Sequence, residues 1–278
     1  MKKLLPLLLL THFGWADFPP DGARLLSTVT QPVMLRWDNP GKTFLLTVSI
    51  SGRTIFQGPV EGNSYELPVR SGQLVRWAVQ SEGDLSPVTQ YRSFQYTQQN
   101  VFRFNGKDGQ YSKLDQSKQQ MQGPDGGPGG QVEVRLDKTP DGPMLTLQNQ
   151  KYLMLPGPPL TIEVRGGKGA DGPPGRRGLS GTNFYGSLDG MPGEPGGRGG
   201  NGGPGGTINI MAPGYPLEQF FNCEIQGGLP GKGGPGGPGG FAGWINDSGR
   251  HFSGRNGPEG PPGPDGSPGP QGRVFWRN

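Results

Sequence analysis

Apolar and polar residues alternate over short stretches of the first hundred positions, and the alternation has a period of two. It runs through residues 33–37, 43–50, 54–56, 65–67, 74–79 and 91–94, the pattern of strands with one buried face. Asn39-Pro40-Gly41, Ser51-Gly52, Glu61-Gly62-Asn63 and Ser71-Gly72 fall between these stretches and predict turns. Residues 23–97 therefore predict a small β-sandwich. Residues 98–122 are polar and rich in Gln and Lys, which predicts a linker with a short helix near 112–120. Alternation resumes at 132–136, 144–147, 152–155 and 160–164, so residues 123–165, opened by a short glycine patch, predict an antiparallel β base.

From Gly166 the pattern changes to a period of three. Glycine recurs at every third position from 166 to 181, from 190 to 205, from 228 to 243 and from 254 to 272. Three residues per turn with glycine and proline is the signature of polyproline II, which rises about 3.1 Å per residue and has no internal hydrogen bonds. Each run would reach roughly 45–55 Å. Its amides must find partners on neighbouring segments, either in a collagen triple helix or in a bundle folded within one chain. The matched lengths favour the single-chain bundle. Runs two and three carry double glycines and are expected inside, with runs one and four outside. Strand-like segments at 160–164, 207–210, 220–225 and 274–276 put a strand at one end of every run.

The triplet frame over 166–278 resembles the polyglycine-II bundles of glycine-rich bacterial surface proteins, phage long-tail-fibre adhesins and glycine-rich insect antifreeze proteins. The Trp37 and Trp77 pair in the first domain is similar to fibronectin type III-like or FecR-like modules. Together these imply an all-β plus polyglycine/polyproline II fold. A β-sandwich would be followed by a β base carrying an intrachain glycine-helix bundle, with essentially no α-helix after residue 16.

Residues 1–16 have the layout of a secretory signal: Lys2 and Lys3, an apolar core over 4–10, and Gly14-Trp15-Ala16 at the cleavage site. Of 26 Lys and Arg, those two lie in it, leaving 24 against 22 acids. A near-neutral mature chain gives no nucleic-acid signal, and no second apolar segment predicts a membrane span. An exported location follows: cell surface, outer-membrane-associated, periplasmic or extracellular. The lone Cys223 cannot form an internal disulfide and reads as a buried small apolar residue.

Candidate chemistry is sparse. Gly167-Lys168-Gly169-Ala170-Asp171-Gly172 matches GxGxxG, but Pro173-Pro174 follows where a dinucleotide site needs a helix. The same stretch fits half of a calcium-binding nonapeptide, with no tandem copy. Asn246-Asp247-Ser248 is a glycosylation sequon. No catalytic set, metal set or cofactor motif is recognised, so the chain is expected to be non-enzymatic. The connectors at 182–189 and 244–253 are rich in aromatic and hydrogen-bonding residues. They supply a candidate partner-binding tip of Asn183, Phe184, Tyr185, Leu188, Trp244, Asn246, Asp247, Arg250, His251 and Phe252. The expected function is an exported surface or adhesive protein meeting a protein or glycan partner, with a homo-oligomer left open. A collagen-like homotrimer is the alternative, and ice binding a third reading.

Overall fold

Every alternating stretch pairs with another, and the pairings reach far along the chain. The computed structural model describes residues 17–37, 43–81, 90–111, 121–182, 188–247 and 250–277. In chain order the strands are β1 (Ala23–Ser27), β2 (Val33–Arg36), β3 (Thr43–Ile50), β4 (Arg53–Glu61), β5 (Ser64–Leu67) and β6 (Leu74–Ser81). Next come β7 (Arg92–Gln98), β8 (Val101–Arg103), β9 (Gln131–Thr139), β10 (Gly142–Leu147), β11 (Gln150–Met154) and β12 (Leu160–Glu163). The last are β13 (Thr207–Met211), β14 (Phe221–Glu224), β15 (Trp244–Asp247), β16 (Arg250–Ser253) and β17 (Arg273–Arg277). The helical residues described are a single 3-10 turn, Leu217–Gln219. Both the signal segment and the helix expected near 112–120 lie outside the described residues.

Local hairpins account for part of this. Ser51 and Gly52 both have positive φ between β3 and β4, as do Gln148 and Asn149 between β10 and β11, the geometry of a tight hairpin turn. The decisive pairings are non-local and parallel. β1 pairs with β7 on one side and with β11 on the other. It thereby joins two sets of strands into one ten-stranded sheet, ordered β17-β13-β9-β10-β11-β1-β7-β6-β3-β4. A three-stranded sheet, β14-β12-β8, and two pairs, β2-β5 and β15-β16, complete the described strands.

The core divides between the two faces of the large sheet, and the change of face occurs at β1. Leu25, opposite Leu153, belongs to a cluster with Leu35, Phe44, Leu46, Trp77 and Phe94. Leu26, opposite Met154, belongs to a second cluster with Val132, Leu145, Ile162, Ile208 and Ile210. Adjacent residues of a strand point to opposite faces, so β1 carries both cores. Trp37 and Trp77 lie in the first cluster with ring centroids 6.4 Å apart.

The glycine segments prolong the strands as two layers of extended rows. One layer holds 104–109, 166–181 and 227–243, continuing from β8, β12 and β14; the other holds 123–130, 190–206 and 254–272, leading into β9, β13 and β17. Amides three residues apart cross from row to row. Those of Gly169, Gly172 and Gly175 donate to Leu229, Lys232 and Pro235, and those of Gly257, Gly260 and Gly263 to Gly240, Gly237 and Gly234. Backbone torsion is not why glycine is required here, because the positive-φ glycines (22, 52, 62, 72, 142 and 214) all lie outside the rows. Space is the reason: a Cβ at Gly237 would sit 1.8 Å from the Arg176 carbonyl oxygen.

These pairings correct the expected fold class. The strands form a mixed-topology, essentially all-β network in one packed body. Among the described residues, β1 joins the strands of 23–97 to β11 in one sheet, so they do not stand as a separate sandwich, and no β base stands apart from a glycine-helix bundle. The likeness to polyglycine-II adhesins and antifreeze proteins, and to fibronectin type III-like or FecR-like modules, is withdrawn as a description of this architecture. The collagen-like reading falls for a direct reason: glycine amides of all four runs are taken up within this one chain. The expected order of the runs changes too. The run at 166–181 exchanges hydrogen bonds with 104–109, 123–130, 190–206 and 227–243, so it is interior, whereas 227–243 flanks it with no row beyond among the described residues.

Candidate functional site

Of the predicted tip residues, Asn183, Phe184 and Tyr185 lie outside the described residues. The backbones of the others come together. Leu188 accepts the Gly243 amide at 2.7 Å, and the next residue, Trp244, opens a hairpin. Its register sets Ile245 opposite Phe252, Asn246 opposite His251 and Asp247 opposite Arg250. Trp244 is 74% exposed. Nearby, the Arg177 guanidinium lies over the Phe241 ring at 4.3 Å.

The GxGxxG stretch is an extended row, and a Cβ at Gly167 would meet the Lys107 carbonyl oxygen at 2.0 Å. Among the described residues no group of three or more His, Cys, Asp or Glu is placed to hold a metal ion. Burial pushes the Cys223 thiol up to about 11, the opposite of the depressed value of a reactive cysteine.

A set of polar residues missed in the sequence does structural work. Asp or Asn standing just before glycine turns its side-chain oxygen onto a backbone amide of the next row. Asp108 accepts from Lys168 at 2.8 Å, Asp125 from Asn201 at 2.6 Å, and Asp171 from Lys232 at 2.9 Å. Asp189 accepts from Arg255 at 2.6 Å, Asn201 from Ser267 at 2.9 Å, and Asp265 from Gly233 at 2.7 Å. The Lys232 amide, then the Lys168 charge, hold the Asp171 carboxyl below its ordinary value. The signal was present as Asx-Gly steps in the triplet frame. Which amide each reaches depends on the neighbouring row.

The surface best suited to a partner is the outer edge of β17, which ends the ten-stranded sheet. The Arg273 amide donates to Gly206 at 3.0 Å, and the Ala212 amide donates to Arg277 at 3.1 Å. Arg273, Phe275 and Arg277 thus direct their backbone groups toward β13, and by alternation those of Val274 and Trp276 point outward. Val274 and Trp276 are the register partners of the buried Ile208 and Ile210. Their side chains therefore share the core face, where Val274 packs on the second cluster. Phe275 and Trp276 remain 47% and 43% exposed.

The other end of the sheet is built differently. β4 carries Pro59, which has no amide hydrogen, and its pairing with β3 shifts register between Val48 and Ser49. Proline and bulges are devices that block strand addition at an edge. β17 has neither; the charges on it are Arg273 and Arg277 at its ends.

The expected adhesive function, with loops displayed on a rigid polyglycine-II bundle, is corrected along with the fold on which it depended. The ice-binding reading loses its support as well, because Lys168, Asp171, Arg176, Arg177, Glu194 and Asp265 are exposed along the rows. Comparison with protein-family models, with curated proteins and with solved structures returned no match.

Proposed function

We propose that this chain is a non-catalytic, exported protein that binds a partner polypeptide by strand addition at β17. The observation that carries this reading is the outer side of β17, where Val274 and Trp276 turn outward backbone groups that have no strand partner among the described residues, beside the 43% exposed Trp276. An added strand would satisfy those groups and cover Trp276, gaining main-chain hydrogen bonds for affinity and side-chain contacts for selectivity. Export is supported by the charged, apolar and small-residue layout of residues 1–16.

Val274→Pro is the informative change. It removes an outward amide hydrogen and leaves the β13 pairing in place, a position where edge strands tolerate proline. Seven-residue peptides from a random display library should be retained by the wild-type protein and lost by this variant, with its thermal melting little altered. Failure to recover any peptide that distinguishes the two proteins overturns the reading.

A further inference from the structure

We infer that the strand added at β17 is acidic at both ends and apolar between them, a conclusion that rests on the strand-addition reading above. The solvent face of β17 presents Arg273, Phe275 and Arg277, and its core face presents Val274 and Trp276. Cross-strand neighbours at this spacing lie within side-chain contact, where opposite charges attract and like charges repel. A partner of five residues therefore reads acidic, apolar, aromatic, apolar, acidic. Carboxylates face the two arginines, an aromatic ring lies against Phe275, and β-branched residues cover Val274 and Trp276. The pattern is palindromic, so it suits either strand direction.

The same charges disfavour a second copy of this chain as the occupant. Antiparallel in-register pairing of β17 with itself sets Arg273 opposite Arg277 twice. Parallel in-register pairing sets each arginine opposite its own copy. Both place like charges directly across the new ladder, and neither supplies a carboxylate, because β17 contains none. The neighbouring strand does not neutralise the face, since Thr207, Asn209 and Met211 occupy the matching positions of β13.

The test uses the full chain and two capped peptides, Glu-Val-Tyr-Val-Glu and Lys-Val-Tyr-Val-Lys. Binding is followed through the backbone amide resonances of Val274 and Trp276 at low and high salt. The acidic peptide is expected to bind on the order of tenfold more tightly at low salt. The preference should shrink in 1 M salt, where screening acts within about 3 Å. It should reverse in the Arg273→Glu, Arg277→Glu double variant. Equal binding of both peptides, abolished by Val274→Pro, would overturn the acidic assignment while leaving strand addition intact. No Val274→Pro-sensitive binding of either peptide would overturn both. Sedimentation showing a dimer that Val274→Pro dissociates would make the occupant a second copy and overturn the acidic partner.

Discussion

The close approach of the glycine rows makes Gly237→Ala a severe test of the architecture. A Cβ there would stand 1.8 Å from the Arg176 carbonyl oxygen and 2.4 Å from its carbon. Ordinary contact begins near 3.4 Å, so the two rows must separate by about 1.5 Å, and the obstacle is backbone that cannot rotate aside. The bonds from Gly175 to Pro235 and from Gly178 to Pro238, both 2.9 Å, join the same two rows. A separation of that size takes them out of hydrogen-bond range. The displaced methyl also crowds the Arg176 carbonyl that receives the Glu194 amide at 2.9 Å. Losing two or three such bonds at about 1 kcal/mol each costs about 2–3 kcal/mol, and more where an amide is left buried without a partner. Gly58→Ala is the control, because its Cβ would meet only the Phe56 ring at 3.5 Å. It should stay within about 1 kcal/mol of wild type. Urea denaturation of both variants, followed by tryptophan emission, measures the difference. Indistinguishable midpoints would refute the claim that these rows are held at backbone contact.

Two further outcomes follow from the same structure. Leu153 faces Leu25 at the junction of β11 and β1 and is 1% exposed, so Leu153→Ala should cost about 2–5 kcal/mol. The continuous sheet predicts that it lowers a single cooperative transition, and calorimetry resolving two transitions, one of them unmoved, would contradict that continuity. Asp171 is held below the ordinary carboxylate value in the folded state, chiefly by the Lys232 amide. Its contribution is then fully present above the unfolded value and is lost as pH falls through the lower folded value. Melting temperature should accordingly hold through neutral and mildly acidic pH and decline below about pH 4. Asp171→Asn keeps an oxygen acceptor for the amide, so it should flatten part of that decline, and an unchanged acid profile would deny Asp171 its role.

Legibility differed sharply among the elements. Strand β9 was visible as alternation because Val132, Val134 and Leu136 are buried while Gln131, Glu133 and Arg135 are exposed, and the turns at Ser51-Gly52 and Ser71-Gly72 were visible as chemistry. β1 was not, since Leu25 and Leu26 are consecutive and both buried, which erases the period of two. The short segment 104–109 went unnoticed as a glycine row because two glycines, Gly106 and Gly109, are too few to display a period. The β17 edge could be read as a strand but not as an edge. Its neighbour β13 lies more than sixty residues earlier, and nothing in Arg273–Arg277 says on which side that neighbour stands.

Composition and spacing by themselves settled where this chain is extended, where it turns, and where only glycine fits, because those properties depend on a residue and its near neighbours. Tertiary structure alone decided that β1 lies between β7 and β11, that the rows stack in two layers, and that β17 ends the sheet among the described strands. Each of those outcomes pairs segments distant in sequence, and the backbone groups that do the pairing are the same in every residue except proline. Such groups leave no mark in the sequence of the partner they will choose.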